Sequence, residues 1–115
     1  MTIYIICFVF ILFDIITGII KALYMGTLNS TNLRKGLFHK VSEVIAIVGS
    51  GLLEYGITYI KLGVDLPVLS VVSIYICLTE LISVLENLAQ VNPTLAKLFK
   101  PYLDKLKSKE NDNDL

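Results

Sequence analysis

The chain has 115 residues, with ten Lys and Arg against ten Asp and Glu, so its net charge is zero. Apolar residues make up 55% of it, only 17% of its residues are charged, and its mean hydropathy is +0.73. This length allows one domain, but a soluble domain of this size needs more polar surface, and disorder needs low hydrophobicity. The zero net charge gives no overall attraction to nucleic acid. The composition therefore predicts a small integral membrane protein.

The first apolar segment, residues 2–25, is long enough to cross a bilayer as a helix. Only Asp14 and Lys21 interrupt it. It lacks the basic start and the small-residue cleavage site of a cleaved signal peptide. Residues 26–40 then combine turn-forming residues with a basic stretch, which predicts a first loop with a basic amphipathic turn of helix that lies at the membrane surface. Its basic residues are Arg34, Lys35, His39 and Lys40.

Two further apolar segments, residues 41–60 and residues 67–85, are also predicted to span the membrane. Glu43 and Glu54 interrupt the second segment, and Glu80 interrupts the third. The loop between them has about five residues, so these helices are predicted to form an antiparallel hairpin.

The distribution of Lys and Arg predicts the orientation, because cytoplasmic loops carry an excess of these residues. The first connection has four of them when Lys21 is included, the second loop has one, Lys61, and the tail has five. The N-terminus and the second loop are therefore expected outside, and the first loop and the C-terminus in the cytoplasm.

The predicted fold is thus an all-α membrane protein with three transmembrane helices, a basic amphipathic first loop and an amphipathic, charged C-terminal tail. Residues 1–91 form the transmembrane domain, and residues 92–115 form the cytoplasmic tail.

Polar residues lie on one face of each predicted span. An acidic residue at the centre of a spanning helix raises the free energy of membrane insertion by about 2.5–3.5 kcal/mol. These acidic residues are therefore expected to have a polar partner or a function. Asp14 and Lys21 are two turns apart, too far for a comfortable direct pair, so partners for Asp14 are expected on another helix or another copy. The candidate oligomerisation or hole-facing residues are Asp14, Thr17, Gly18, Lys21, Ser50, Glu54, Ser73 and Glu80.

Two interpretations of these polar faces remain open. The faces can pack against each other inside a three-helix bundle, where small residues allow close approach. Alternatively, they can turn from protein contacts towards water in an assembly, for which Asp14, Glu54 and Glu80 are the best candidates. Glu43 is expected at the membrane interface, as a helix-end residue.

Enzymatic chemistry finds no support in the sequence. His39 has no adjacent nucleophile, and no phosphate-binding glycine loop or nucleophile elbow is present. Cys7 and Cys77 lie in apolar runs and are expected to be packing residues, and two Cys with one His do not make a zinc set. We therefore expect no catalytic residue, cofactor or metal.

Four short strings occur in a specific order: Asp-x-x-Thr-Gly at residues 14–18, Leu-Asn-Ser-Thr at 28–31, Gly-Leu-x-x-Lys at 36–40 and Glu-Asn-Leu at 86–88. The order and spacing of these strings resemble those of the bacteriophage holin family that also contains the clostridial toxin-secretion holins. The resemblance covers most of residues 10–90.

The resemblance implies a homo-oligomer in the bacterial cytoplasmic membrane that opens large non-specific holes at a set time and lets an endolysin, or a toxin, pass. The basic tail suits the anionic inner leaflet. On this hypothesis, Asp14, Thr17, Lys21, Glu54 and Glu80 mark faces that are buried before opening and wetted in the hole.

The sequence also leaves two functions other than that of a holin open. A small proton-coupled exporter also uses an acid within the membrane, although this chain has no Trp and no evident aromatic cage for a substrate. The sequence also does not exclude an accessory subunit of a larger membrane complex.

Overall fold

The computed structural model describes residues 2–113, which form four α-helices joined by short connections. These are α1 (Thr2–Met25), α2 (Ser30–Tyr59), α3 (Val68–Val91) and α4 (Pro93–Asn113). The predicted all-α fold is confirmed, and α1, α2 and α3 are each long and apolar enough to cross a membrane. The last two residues of the predicted tail, Asp114 and Leu115, lie outside the described residues.

Helix α2 begins much earlier than the predicted second span. The side-chain oxygen of Asn29 accepts a hydrogen bond from the backbone N–H of Asn32 at 2.8 Å, a typical N-cap that satisfies one of the free donors of the first turn. No proline follows to stop the helix before residue 41. The basic stretch is therefore the N-terminal part of α2 rather than a separate surface segment, and only residues 26–29 connect α1 to α2.

Helices α2 and α3 form the predicted antiparallel hairpin. Lys61 and Gly63, with φ values of 54° and 74°, adopt the left-handed conformation that turns the chain after α2. Further from the turn, Ile47 of α2 packs in one apolar cluster with Ile76 of α3, and Lys40 reaches Glu80. Contacts further from the turn join earlier residues of α2 to later residues of α3, as in two antiparallel helices.

Helix α3 is the centre of the bundle. It packs against α1, α2 and α4, whereas α1 and α2 touch each other little. Helix α4 follows after Asn92 alone and turns back along α3, where the Thr79 hydroxyl donates a hydrogen bond to Glu110 at 2.8 Å. It continues as one helix through Pro101, although a proline inside a helix removes a backbone hydrogen bond.

The apolar surface of the bundle faces outwards. The apolar core is small and centres on Cys7, Ile11, Ile47 and Ile76. Large apolar side chains stand exposed on all three spanning helices, among them Leu12, Leu52 and Val71. A soluble protein rarely exposes so much contiguous apolar surface, but a lipid-facing surface requires it.

Candidate functional site

Acidic groups from all three spanning helices converge on one amine. Lys40 of α2 donates hydrogen bonds to Asp14 of α1 and Glu80 of α3, and its Nζ atom lies 3.5 Å from Glu43 Oε1. The four side chains are between 1% and 12% exposed, so the group is enclosed by protein. We call these four residues the Lys40 network.

The Asp-x-x-Thr-Gly string contacts α3 through Asn87. The Asn87 side-chain amide donates to Asp14 Oδ1 at 3.0 Å and to Thr17 Oγ1 at 3.1 Å. Gly18 lies beside it, since a Cβ atom at Gly18 would be 3.7 Å from Asn87 Nδ2. Asp14 therefore has its partners on other helices, as its distance from Lys21 along the first span predicts.

The Lys40 network is not balanced in formal charge. Its three carboxylates and one amine leave a charge of −2 when all are ionised. Glu43 Oε1 is buried and has no hydrogen-bond partner among the described residues. Its nearest cation is the Lys40 amine at 3.5 Å, which is longer than a good hydrogen bond, so Glu43 is the least well satisfied carboxylate of the network.

The remaining candidate residues occupy different places. Ser50 is buried and donates to the Ala46 carbonyl at 2.6 Å, whereas the buried Ser73 hydroxyl has no partner within the described part of the chain. Glu54 and Lys21 are half-buried and lie outside the Lys40 network.

The basic residues of α2 separate into two groups. Arg34, Lys35 and His39 are exposed. Lys40, which was expected among them, instead has a side chain only 12% exposed and its amine inside the bundle. It differs because it lies on the face of α2 that packs against α3.

A cavity of about 620 Å³ lies between α1 and the N-terminal half of α2. Asp14, Lys21, Lys40 and Asn87 supply polar groups to its wall, which is otherwise mostly apolar. The cavity exists because α1 and α2 both pack on α3 but hardly on each other.

Sequence reasoning missed three features of this site. Glu43, expected at the interface, is buried, and Lys40 is the centre of the polar group rather than part of its surroundings. Their i, i+3 spacing on one helix was the available signal. The Cys7 and Cys77 sulfur atoms lie 3.5 Å apart, a contact across 70 residues that no local pattern indicates.

Comparison with known proteins gives one finding. A family model described as "Bacteriophage holin family" matches residues 1–108, which is nearly the whole chain. No curated protein and no solved structure gives a significant match.

Proposed function

Because this chain belongs to the bacteriophage holin family, we propose that it oligomerises in the host cytoplasmic membrane and opens large non-specific holes there. The holes release an endolysin, or a toxin, and their time of opening sets the time of lysis. Three apolar helices make the chain a membrane protein, and their lengths suit a bilayer.

The observation that carries this proposal is the Lys40 network. Charged groups within membrane-spanning helices are expensive unless they are paired or in water. In the single chain they pair across the helices. If the helices separate, the same groups need water, and a water-filled hole supplies it. In lipid, the bundle is therefore closed and its charged groups pair with one another. In a water-filled hole, the same charged groups would stabilise an open arrangement.

In this proposal the N-terminus and the α2–α3 loop lie outside and the C-terminus lies in the cytoplasm. Arg34 and Lys35, exposed near the start of α2, then face the anionic inner leaflet, where each basic residue contributes about 1 kcal/mol of attraction. No specific contact with endolysin is required, because the hole is non-specific.

The function is tested by inducible expression in a bacterium with and without a cytosolic endolysin. We expect a delay and then abrupt release of a large cytosolic enzyme, with culture clearing only when endolysin is present. Slow growth inhibition without protein leakage would contradict a holin and favour an exporter or an accessory subunit.

The polar faces are tested by Asp14→Asn and Glu54→Gln, which remove charge and keep shape. We expect each to change the onset of lysis at equal protein level. Lys35→Gln, an exposed charge on α2, is the matched control and should leave the onset nearly unchanged. Unchanged onset in both Asp14→Asn and Glu54→Gln would show that these residues do not set the opening.

A further inference from the structure

Three potential metal ligands lie close together at one side of the Lys40 network. They are His39 and Glu43 of α2 and Glu80 of α3, and one ligand atom from each lies within 4.8 Å of the others. His39 Nε2 is 3.8 Å from Glu43 Oε1. The i, i+4 spacing places the histidine and the glutamate on the same face of α2.

A second observation supports cation binding at this place. Glu43 is 8% exposed, and its Oε1 atom has no hydrogen-bond partner among the described residues although it faces His39 and Lys40. With all four groups ionised, the network carries a formal charge of −2. One divalent cation would bring that charge to zero, which a low-dielectric environment favours.

The ligand set selects the kind of ion. An imidazole with two carboxylates suits zinc and its neighbours in the first transition row, whereas magnesium and calcium prefer oxygen ligands alone. Ligand atoms around a tetrahedral zinc lie about 3.3 Å apart, so only small side-chain movements are needed here. His39 is free to make them because its side chain is 65% exposed.

Lys40 does not prevent this arrangement. It contacts Glu80 through Oε2, so the other oxygen of Glu80 remains for an ion. Glu43 Oε1 lies 3.5 Å from the Lys40 amine and makes no hydrogen bond with it, so an ion would replace only a long contact there. Asp14 also holds the Lys40 amine, which therefore keeps a partner when Glu80 turns to the ion.

We propose that His39, Glu43 and Glu80 form a binding site for a divalent transition-metal ion of the zinc type, which connects α2 to α3. The ion has three protein ligands and an open fourth position towards the exposed side of His39. This site does not depend on the hole-forming function.

The test uses the purified full-length chain in detergent micelles, titrated with Co²⁺ as a visible probe and with Zn²⁺ by calorimetry. We expect one ion per chain and a Co²⁺ spectrum of four-coordinate type. His39→Ala and Glu43→Gln should each weaken binding at least roughly tenfold. Glu54→Gln, an acid of α2 outside the cluster, is the matched control and should bind like the unaltered chain.

Circular dichroism of each variant establishes that the helices persist. If Glu43→Gln loses helical structure, His39→Ala decides, because His39 is exposed and contributes little to packing. Absence of Co²⁺ binding, binding that His39→Ala leaves unchanged, or displacement of Co²⁺ by an equal concentration of Mg²⁺ would each overturn the proposal.

Discussion

Lys40 contacts carboxylates from α1, α2 and α3, and it is the only basic side chain of the described residues that does so. Its long, flexible stem allows one amine to reach three helices. Removing one partner of a buried ionic group is more damaging than removing the whole group, because the groups left behind stay buried and uncompensated. The stability of the bundle therefore depends strongly on this one side chain.

Lys40→Met keeps the length of the side chain and removes its charge. We expect it to lower the free energy of unfolding by about 3 kcal/mol, since it leaves three carboxylates without a cation. Unfolding of the purified protein by a denaturing detergent, followed by circular dichroism, measures the change. Lys35→Met, at an exposed position of the same helix, is the control. Equal stability of the two variants would show that the network contributes nothing.

Adding Glu80→Gln to Lys40→Met should recover part of the loss. The double variant has one negative charge fewer in the same enclosed space, so repulsion among the remaining carboxylates is smaller. A double variant less stable than Lys40→Met alone would contradict the assignment of charge to this network.

For a single residue such as Asp14, the sequence indicates that a polar contact is needed but does not identify the partner. Asp14 requires a polar partner because its position in a span is costly, and this follows from local sequence alone. That the partners are Lys40 and Asn87 depends on how helices far apart in the chain pack, which local periodicity does not encode.

Among the helices, α1 and α2 approach closely at one glycine. A Cβ atom on Gly51 of α2 would overlap the hydroxyl of Tyr4 of α1, and the next nearest atom, Tyr4 Cζ, would be 3.2 Å away. Close approach at glycine is a common device of membrane helices. Here it lets the tyrosine lie directly on the α2 backbone.

Gly51→Ala should therefore displace the hydroxyl end of Tyr4 and be less stable than Gly49→Ala by about 1 kcal/mol, the low end of the cost of overpacking, because only the end of one side chain must move. Tyr4→Phe combined with it removes the overlapping oxygen and should recover most of the loss. Gly49→Ala is the matched control, because a Cβ there meets nothing within 4 Å. Detergent unfolding measures all three. Equal effects of Gly51→Ala and Gly49→Ala would contradict the contact.

The α1–α3 contact can be examined through its two thiols. Cys7 and Cys77 are free, and their sulfur atoms lie 3.5 Å apart. Mild oxidation with a copper complex should join them within one chain and shift its mobility on a non-reducing gel. Cys7→Ser should abolish the shift. Cross-linked dimers in place of an internal bridge would show that α1 and α3 do not pair in this way within the membrane.

The boundaries of the helices were predicted unequally well. The ends of α1 follow from composition, because the apolar run of residues 2–25 coincides with the helix. The start of α2 was placed too late, because a hydropathy pattern ends where charges begin, whereas a helix with a good N-cap at Asn29 continues through them. That extension is what brings Lys40 into the bundle.

For the molecule as a whole, the orientation in the membrane is a prediction from charge alone. In a Cys7→Ser, Cys77→Ser background, Thr27→Cys and Leu62→Cys place single thiols in the two loops, at exposed positions. An impermeant maleimide should label Leu62→Cys on intact spheroplasts and Thr27→Cys only after permeabilisation. The reverse pattern would place the C-terminus outside and contradict the positive-inside assignment.

The fold class could be predicted because it depends on bulk properties. Three long apolar segments in 115 residues leave few alternatives to a helical membrane protein, since isolated strands cannot satisfy their backbone groups in lipid. The arrangement of the helices around α3, and the return of α4 along it, could not be predicted, because amphipathic faces show that a helix packs but not against which neighbour.

The small contact between α1 and α2 has a geometric consequence for an assembly. Few groups join α1 to α2, chiefly the Lys40–Asp14 hydrogen bond and the approach of Tyr4 to Gly51. The gap between the two helices can therefore widen at the cost of those contacts while both helices keep their packing on α3. In the proposed holes, each chain would then contribute an arc of variable width with a polar inner edge. A ring of such arcs would have no preferred subunit number, and its diameter would grow with the number of copies that are present when it forms.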